Sequence, residues 1–220
     1  MGNFTSTEFG TVKSSHEHYM QGFERMNKLL ALPKFRILLM SCYFVIVPGP
    51  GDATICNQLL PEQPLITDFT SNIKDRIDNL LGNNSRFFST TNPCRIRHLI
   101  RKMVFCRGDL VNTLLNSSIF TSGSGKKITS PSELKEMLIT TILGQGHLCP
   151  NKPGANSVLR HDAALLLYPA PDIIFICDTS CPSFIWTSEK TTFCNVESFS
   201  QSKSFLCYDA TSGKCQKLAV

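Results

Sequence analysis

The sequence predicts one mainly β domain with flanking helices, held together by disulfide bonds. Three observations support this class. The 220 residues are 42% hydrophobic and 18% charged, a balance typical of a single globular domain. Ten cysteines are spread along the chain. After Gly144, two apolar runs are broken by Pro169 and Pro171, and Phe, Thr, Ser and Cys alternate in the remainder, which predicts short strands and turns.

Disulfides are favoured over a metal site as the role of the cysteines. Zinc sites usually show two close Cys or His pairs, whereas the one close pair of cysteines here is Cys177 and Cys181. Neither a metal nor a cofactor is therefore predicted. Disulfides persist in oxidising compartments, so we expect a secreted, extracellular protein. The ten cysteines are Cys42, Cys56, Cys94, Cys106, Cys149, Cys177, Cys181, Cys194, Cys207 and Cys215.

Residues 1–53 are predicted to be an N-terminal extension plus a signal peptide. The apolar run 37–47 is too short to span a bilayer but has the length of a signal-peptide core. Basic residues precede it and small residues follow it. Cleavage after Ala53 would leave a mature chain that begins at Thr54, and translation from Met26 would give a leader of normal layout. A signal anchor is the alternative interpretation.

Export has two further consequences. Removal of the leader also removes Cys42 and leaves nine cysteines, so one of them has no disulfide partner within the chain. Asn83 and Asn116 stand in glycosylation sequons, and we expect both to be surface sites of a glycoprotein.

Three segments show helical patterns. Residues 68–82 have apolar positions at helical spacing and end in glycine, which predicts an amphipathic helix with a C-cap. Residues 94–106 predict a basic amphipathic helix. A third helix is indicated by Ser130 as N-cap, Pro131 at the first helical position and Glu133, which completes a capping box.

The basic segment is a candidate polyanion site. Net charge is +5 and the isoelectric point is about 8.7, values that suit an acidic polysaccharide or cell surface as well as nucleic acid. Heparan sulfate is the polyanion expected, and no nucleic acid is predicted as a partner. A solvated helix face without a ligand is the alternative. The candidate residues are Arg95, Arg97, Arg101 and Lys102.

No enzyme is predicted. His161 and Asp162 are adjacent, but the sequence has neither a Gly-x-Ser-x-Gly elbow nor a His-Glu-x-x-His motif. The glycine-rich residues 121–127 lack phosphate-loop spacing and predict a surface loop. The tripeptide 107–109, Arg-Gly-Asp, resembles an integrin ligand, yet it lies against Cys106 and runs into apolar residues. It therefore predicts the start of a strand, and integrin is not an expected partner.

Two stretches carry a resemblance to a known family. Phe105, Cys106, Asp109 and Val111 resemble the strand that opens the netrin-type module of the tissue inhibitors of metalloproteinases. Residues 173–188, IIFICDTSCPSFIWTS, are similar to that family's apolar strand ending in Cys, followed by Pro and Trp on a turn. The resemblance implies an OB-like barrel of five strands, closed and disulfide-bonded, over residues 94–220. Residues 54–93 would form a helical N-terminal segment before it.

The resemblance also implies disulfides and a mechanism. In that family, the α-amine and carbonyl of an N-terminal cysteine chelate the catalytic zinc of a metalloprotease. Cys56 is the candidate for this role, although Thr54 and Ile55 would precede it. The pairings implied are Cys106 with Cys207, Cys149 and Cys177 each with either Cys56 or Cys94, and a local loop closed by Cys181 and Cys194, which leaves Cys215 odd.

The function predicted from these features is a secreted metalloendopeptidase inhibitor whose partners are extracellular metalloproteases. The alternative is a secreted or surface disulfide-rich module that binds a glycosaminoglycan or a receptor without protease inhibition.

Overall fold

A computed structural model shows that the chain forms two units, Met1–Asn92 and Pro93–Val220. Residues 1–53, predicted to be an extension and leader, lie in the first unit together with the helical segment that follows them. The residues that the structure describes are 1–4, 15–54, 59–82, 84–117, 131–149, 158–188 and 190–220.

In the first unit, two short parallel strands pair with each other and are connected by a segment that contains a helix. Phe44 of β1 lies opposite Phe87 of β2. Parallel strands require a crossover connection, which α3 supplies here. A short 3-10 turn at Pro33–Phe35 joins the first two helices. In chain order the elements are α1 (Ser15–Leu30), α2 (Arg36–Ser41), β1 (Phe44–Ile46), α3 (Thr67–Leu81) and β2 (Phe87–Ser89).

The core of this unit forms where α1 meets α3. Phe69, Ile73 and Ile77 recur every four residues on α3, so they share one buried face. The ring of Tyr19 packs edge-on against Phe69 with centroids 4.8 Å apart. Gly82 follows the helix with φ +60°, a conformation that glycine adopts without a Cβ clash. The predicted helix over residues 68–82 is thus confirmed.

The apolar run 37–47, predicted to be a signal-peptide core, forms α2 and β1 of this unit. Leu39 is 1% exposed and Val47 is 2% exposed, and Leu39 belongs to the same hydrophobic cluster as Tyr19. The run therefore contributes to a folded core. Among the described residues, no helix is both long enough and apolar enough to cross a bilayer.

The second unit combines a mixed sheet with helices and a separate hairpin. A 3-10 helix at Leu159–Leu165 precedes the strand Ile173–Ile176. In chain order the elements are β3 (Cys94–His98), β4 (Arg101–Cys106), α4 (Leu110–Ser117), α5 (Pro131–Gln145), β5 (Ile173–Ile176), β6 (Phe184–Thr187), β7 (Thr192–Asn195), α6 (Phe199–Ser202), β8 (Ser204–Asp209) and β9 (Lys214–Ala219).

The main sheet is open, so the predicted closed barrel is wrong. Its strand order is β3-β4-β5-β7-β6, in which β3 and β6 are edges and do not pair with each other. The β4/β5 and β5/β7 pairs are parallel, whereas the two outer pairs are antiparallel. The connection from β4 to β5 contains α4 and α5, as a parallel crossover requires. The last two strands pair only with each other in a second, two-stranded sheet.

The basic segment 94–106 is a hairpin, and the helix predicted there is wrong. Cys94 lies opposite Phe105 and Arg97 lies opposite Lys102. The chain reverses at Leu99, whose φ is +56°. Apolar and basic residues alternate over residues 94–97, and this alternation suits a strand with one packed face as well as it suits a helical stripe.

The segment that follows the hairpin is also corrected. The strand ends at Cys106 instead of starting there, and α4 begins at Leu110. Arg107 is only 8% exposed, so the Arg-Gly-Asp tripeptide is not displayed as a ligand. The helix begins at this point because the carboxylate of Asp178 accepts the N–H of Val111 at 2.8 Å. That partner is 67 residues away in the sequence.

The third predicted helix is confirmed as α5, with Pro131 at its first position. Its predicted N-cap, Ser130, and the glycine-rich residues 121–127 lie outside the described residues.

A buried carboxamide fixes the ends of β5 and β7. Oδ1 of Asn195 accepts the N–H of Asp178 at 3.0 Å. Its Nδ2 group donates to the carbonyls of Cys181 and Pro182 at 2.8 and 3.1 Å, and to that of Asp178 at 3.1 Å. Asn195 is 0% exposed, so loss of this side chain leaves several buried backbone groups without a partner.

We expect Asn195→Ala to lower the free energy of unfolding of the second unit by about 2–3 kcal/mol. Trp186, the single tryptophan of the sequence, lies in β6 opposite Phe193 and reports on this unit. The measurement is urea unfolding of the full chain followed by Trp186 fluorescence. Asn112→Ala is the control, because Asn112 is exposed and should change stability by less than about 0.5 kcal/mol. Equal effects of the two substitutions would contradict the assigned role of Asn195.

Candidate functional site

The hairpin 94–106, called the basic hairpin below, presents cations on one face. Arg95, Arg97 and Lys102 share this face, because side chains two residues apart point the same way and Arg97 lies opposite Lys102. All three residues are exposed. At the hairpin tip, Leu99 and Ile100 are 71% and 81% exposed.

Three of the four predicted polyanion-binding residues make side-chain contacts within the protein. Nε of Arg97 donates to the carbonyl of Leu99 at 3.3 Å, inside the hairpin itself. Nη2 of Arg95 donates to the carbonyl of Ala164 at 3.1 Å and also to that of Leu166. Nη1 of Arg101 lies 3.3 Å from Oδ1 of Asp172. Nε of Arg101 donates to the carbonyl of Ala210 at 3.4 Å, in the turn that joins β8 to β9. A Cβ at Gly213 would approach this guanidinium to 3.0 Å, so the turn packs closely on it.

Arg97 and Lys102 are the outward pair, because the Arg97 contact is made through Nε to a residue of the same hairpin. Like charges directly opposite each other on a sheet destabilise it, so the pair lacks a local stabilising role. β3 is also an edge strand, and charged edge strands resist pairing with other chains. Chemically, a guanidinium beside an ammonium on an exposed face is suited to contact with phosphate oxygens.

A buried carboxylate organises the turn 48–52 of the first unit. Oδ1 of Asp52 accepts the Tyr19 hydroxyl at 2.8 Å and the Phe4 N–H at 2.7 Å, and Oδ2 accepts the Gly49 N–H at 2.8 Å. Asp52 is 1% exposed. Burial raises its pKa above the ordinary value of 3.8. Burial and the neighbouring carboxylate also raise the pKa of Tyr19.

A histidine and a carboxylate meet in the second unit. His147 lies 3.2 Å from Asp162, measured from Nε2 to Oδ1, and its Nδ1 accepts the N–H of Cys149 at 3.0 Å. Both ring nitrogens are thus engaged within the protein. The sequence pairs Asp162 with His161, its neighbour, whereas the structure pairs it with a residue 15 positions away. No sequence pattern marks that contact.

In the described part of the chain, no three His, Cys, Asp or Glu side chains converge as metal ligands would. The buried carboxylates of Asp52 and Asp178 accept hydrogen bonds from the protein's own groups. These two carboxylates therefore hold segments of the protein's own backbone in place.

The two cysteines of the implied Cys106–Cys207 pair differ in burial. Cys106 ends β4 and is buried, whereas Cys207 is exposed on β8. Cys194 on β7 and Cys215 on β9 pack in the same hydrophobic cluster. Burial raises the pKa of the Cys181 thiol to about 11. Cys56 and Asn83 lie outside the described residues, and Asn116 lies in α4.

Fold and site together define an α/β protein of two units, with an open mixed sheet and buried carboxylates that serve its own backbone. The family model for the B subunit of DNA polymerase alpha/epsilon matches residues 1–186. This chain therefore belongs to the family of DNA polymerase alpha/epsilon B subunits.

Three relatives illustrate the similarity. DNA polymerase epsilon subunit 2 of Homo sapiens is 31% identical over 206 residues, which are 91% of this chain and 35% of that protein. The B subunit of DNA polymerase epsilon from Arabidopsis thaliana is 29% identical, with 94% and 37% covered. The corresponding B subunit from Saccharomyces cerevisiae is 25% identical, with 90% and 33% covered. The chain thus spans about a third of the length of the curated relatives it matches.

Among solved structures, TT1561 of Thermus thermophilus shares a TM-score of 0.41 and 12% identity with this chain, with 99% of this chain and 83% of that one covered.

These findings overturn most of the functional interpretation drawn from the sequence. The resemblance to tissue inhibitors of metalloproteinases is wrong, because the family is one of DNA polymerase subunits. Secretion, protease inhibition by Cys56, extracellular metalloproteases, heparan sulfate and the alternative binding module are wrong for the same reason. The disulfide-bonded barrel is wrong because the sheet is open. The individual cysteine pairings and the sequon sites stay predictions, now without the export that motivated them.

Asp52 gives the first unit a characteristic pH dependence. A carboxyl group with a raised folded pKa binds its proton more tightly in the folded state. Its contribution to stability is therefore fully present below the unfolded value near 3.8 and is lost as pH rises through the folded pKa. Wild type should gain stability relative to Asp52→Asn as pH falls towards 4.

The measurement is hydrogen–deuterium exchange of α1 and α3 peptides in the full chain, in the two proteins side by side. Asp75→Asn in the same unit is the control, since Asp75 is exposed and its substitution should leave the profile unchanged. A wild-type advantage that shrinks on acidification would sink the assignment.

Proposed function

We propose that this chain acts as an accessory B subunit of a DNA polymerase and has no catalytic activity of its own. The observation that carries the proposal is the family match across residues 1–186. Relatives from human, plant and yeast are all named as subunits of DNA polymerase epsilon. Its partners would then be the other subunits of that polymerase, including the catalytic one, and its place would be the nucleus, where chromosomal DNA is copied.

The disposition of polar groups supports an assembly role. Asp52, Asp178 and Asn195 are each at most 1% exposed and are saturated by contacts within the protein. His147 likewise uses both ring nitrogens internally. Groups held in this way position backbone segments, and they are poorly suited to transfer protons to a substrate.

The test is co-purification from the host cell. A tagged copy of the chain, expressed at native level, should retain DNA polymerase activity through washing, whereas the same chain purified from a heterologous host should incorporate no nucleotide. Retention of no polymerase activity above an untagged control would refute the assembly role. Incorporation by the isolated chain would refute the accessory role.

A second function, contact with the DNA backbone, is favoured by the outward pair Arg97 and Lys102. Arg95 and Arg101 contact segments outside the basic hairpin, whereas the contact of Arg97 lies within it. This proposal therefore narrows the predicted polyanion site from four residues to two. A phosphate diester presents the oxygens that a guanidinium and an ammonium bind.

We expect Arg97→Ser with Lys102→Ser to weaken binding of the full chain to a duplex oligonucleotide. Each lost phosphate contact should lower the slope of log K against log salt by about 0.9, so the double variant should lose about 1.8. Fluorescence anisotropy across a salt series measures both quantities. Arg160→Ser with Lys190→Ser removes the same charge from exposed positions of the same unit and serves as the control. An equal loss of DNA affinity in both double variants would show that only net charge matters, and it would contradict a specific contact by Arg97 and Lys102.

A further inference from the structure

The first unit contains a groove that its own fold leaves open. It lies where the end of α1, the 3-10 turn and α2 meet α3, and its volume is about 630 Å³. Its apolar lining is contributed by Leu30, Leu32, Pro33, Leu39 and Leu80. We call this feature the helix groove.

The elements that form the helix groove also carry exposed apolar side chains. Of the six residues of α2, Leu39 is buried, whereas Ile37 is 80% exposed and Met40 is 44% exposed. Leu29 at the end of α1 is 58% exposed, and Leu32, which lines the groove, is 41% exposed. Isolated exposed apolar residues are ordinary, but a group of them beside a groove is typical of an interaction surface.

The charge around the helix groove is positive. Arg36 and Arg76 line it, and Asp75 is the one acidic residue among its described lining residues. Lys28 near the end of α1 and Lys34 in the following turn add two more cations. The ion pairs found in the described part of the chain belong to Arg101, His147 and Lys217, so Arg36 has no carboxylate partner there. A ligand with carboxylates complements this charge.

The polar groups of the groove suit a polypeptide backbone. Asn72 and Asn79 line it from α3 and are exposed. Each carboxamide offers a donor and an acceptor, the two functions that a peptide unit requires. Nε of Arg76 donates to Oδ1 of Asn27 at 2.6 Å, a bond that holds the guanidinium while its terminal nitrogens can bind another acceptor.

We propose that the helix groove binds an acidic, leucine-rich peptide segment of a partner polypeptide. The apolar floor accepts the leucine-type side chains, Arg36 and Arg76 bind the carboxylates, and the asparagine amides bind the peptide backbone. The identity of that polypeptide as another polymerase subunit rests on the proposed function, whereas the peptide chemistry does not. A nucleic acid offers no aliphatic side chains to pack against the leucines of the groove. A lipid surface would leave the carboxamides of Asn72 and Asn79 without a peptide backbone to bind.

The probe is a fluorescein-labelled amphipathic helix with leucines on one face and glutamates on the other, added to the purified full chain and followed by anisotropy. A matched peptide with lysine in place of every glutamate should not bind. Arg36→Glu and, separately, Leu32→Ser should each weaken the acidic peptide about tenfold, which corresponds to about 1.4 kcal/mol. Both positions are exposed, and unchanged thermal midpoints would show that the variants fold.

The controls Arg160→Glu and Tyr168→Ser make the same types of change on exposed residues of the second unit and should leave binding unaltered. No binding of the acidic peptide, equal binding of the lysine peptide, or insensitivity to Arg36→Glu would each overturn the inference. Sedimentation with phosphatidylserine vesicles, without peptide binding, would assign the surface to lipid and overturn it as well. Retention of polymerase activity by the tagged chain in that case would leave the proposed function standing.

Discussion

The second unit depends on the buried carboxylate of Asp178. Its Oδ2 accepts the N–H of Val111 at the start of α4, and its Oδ1 accepts the N–H of Ser180 in the turn towards β6. Asn195 binds the backbone of the same residue from the end of β7. Two strands, a helix and a turn therefore meet at one fully buried position. Without these acceptors the helix start and the turn would retain buried, unsatisfied donors, which are costly in a folded protein.

A buried aspartate also organises the first unit. Asp52 follows β1 and binds α1 through Tyr19 and the N-terminal residues through the N–H of Phe4. In both units an aspartate beyond the end of a strand holds segments that are distant in the sequence. The interior carboxylates are thereby committed to the fold, and the charges left for partners are basic ones on the surface. Arg97 and Lys102 face outward from the basic hairpin, and Arg36 lines the helix groove. This distribution agrees with the assembly role proposed above.

The cysteines show why composition misdirects when the compartment is unknown. Cys94, Cys106, Cys149, Cys181 and Cys194 are buried, and a cysteine behaves there as a small apolar residue. Burial raises the pKa of Cys181 and Cys194, which keeps these thiols protonated at neutral pH. Ten cysteines suit a disulfide framework or a thiol-rich core equally well. The choice between them depends on which cysteines are in contact, and the spacing of cysteines in the sequence does not reveal that.

Elements whose causes are local could be predicted from the amino-acid sequence alone. The helix at Thr67–Leu81 follows from apolar spacing and Gly82, and the helix at Pro131–Gln145 follows from its first-position proline and Glu133. The sequence also located the basic residues and the strand that begins at Ile173. The hairpin fold of residues 94–106 depends on tertiary contacts, because their alternation fits either a strand or a helix until a neighbouring strand supplies hydrogen bonds. The run 37–47 could not be assigned from the sequence either, because a leader and a folded core both require apolar side chains. The start of α4 also depends on tertiary structure, since the residue that caps it is 67 positions away.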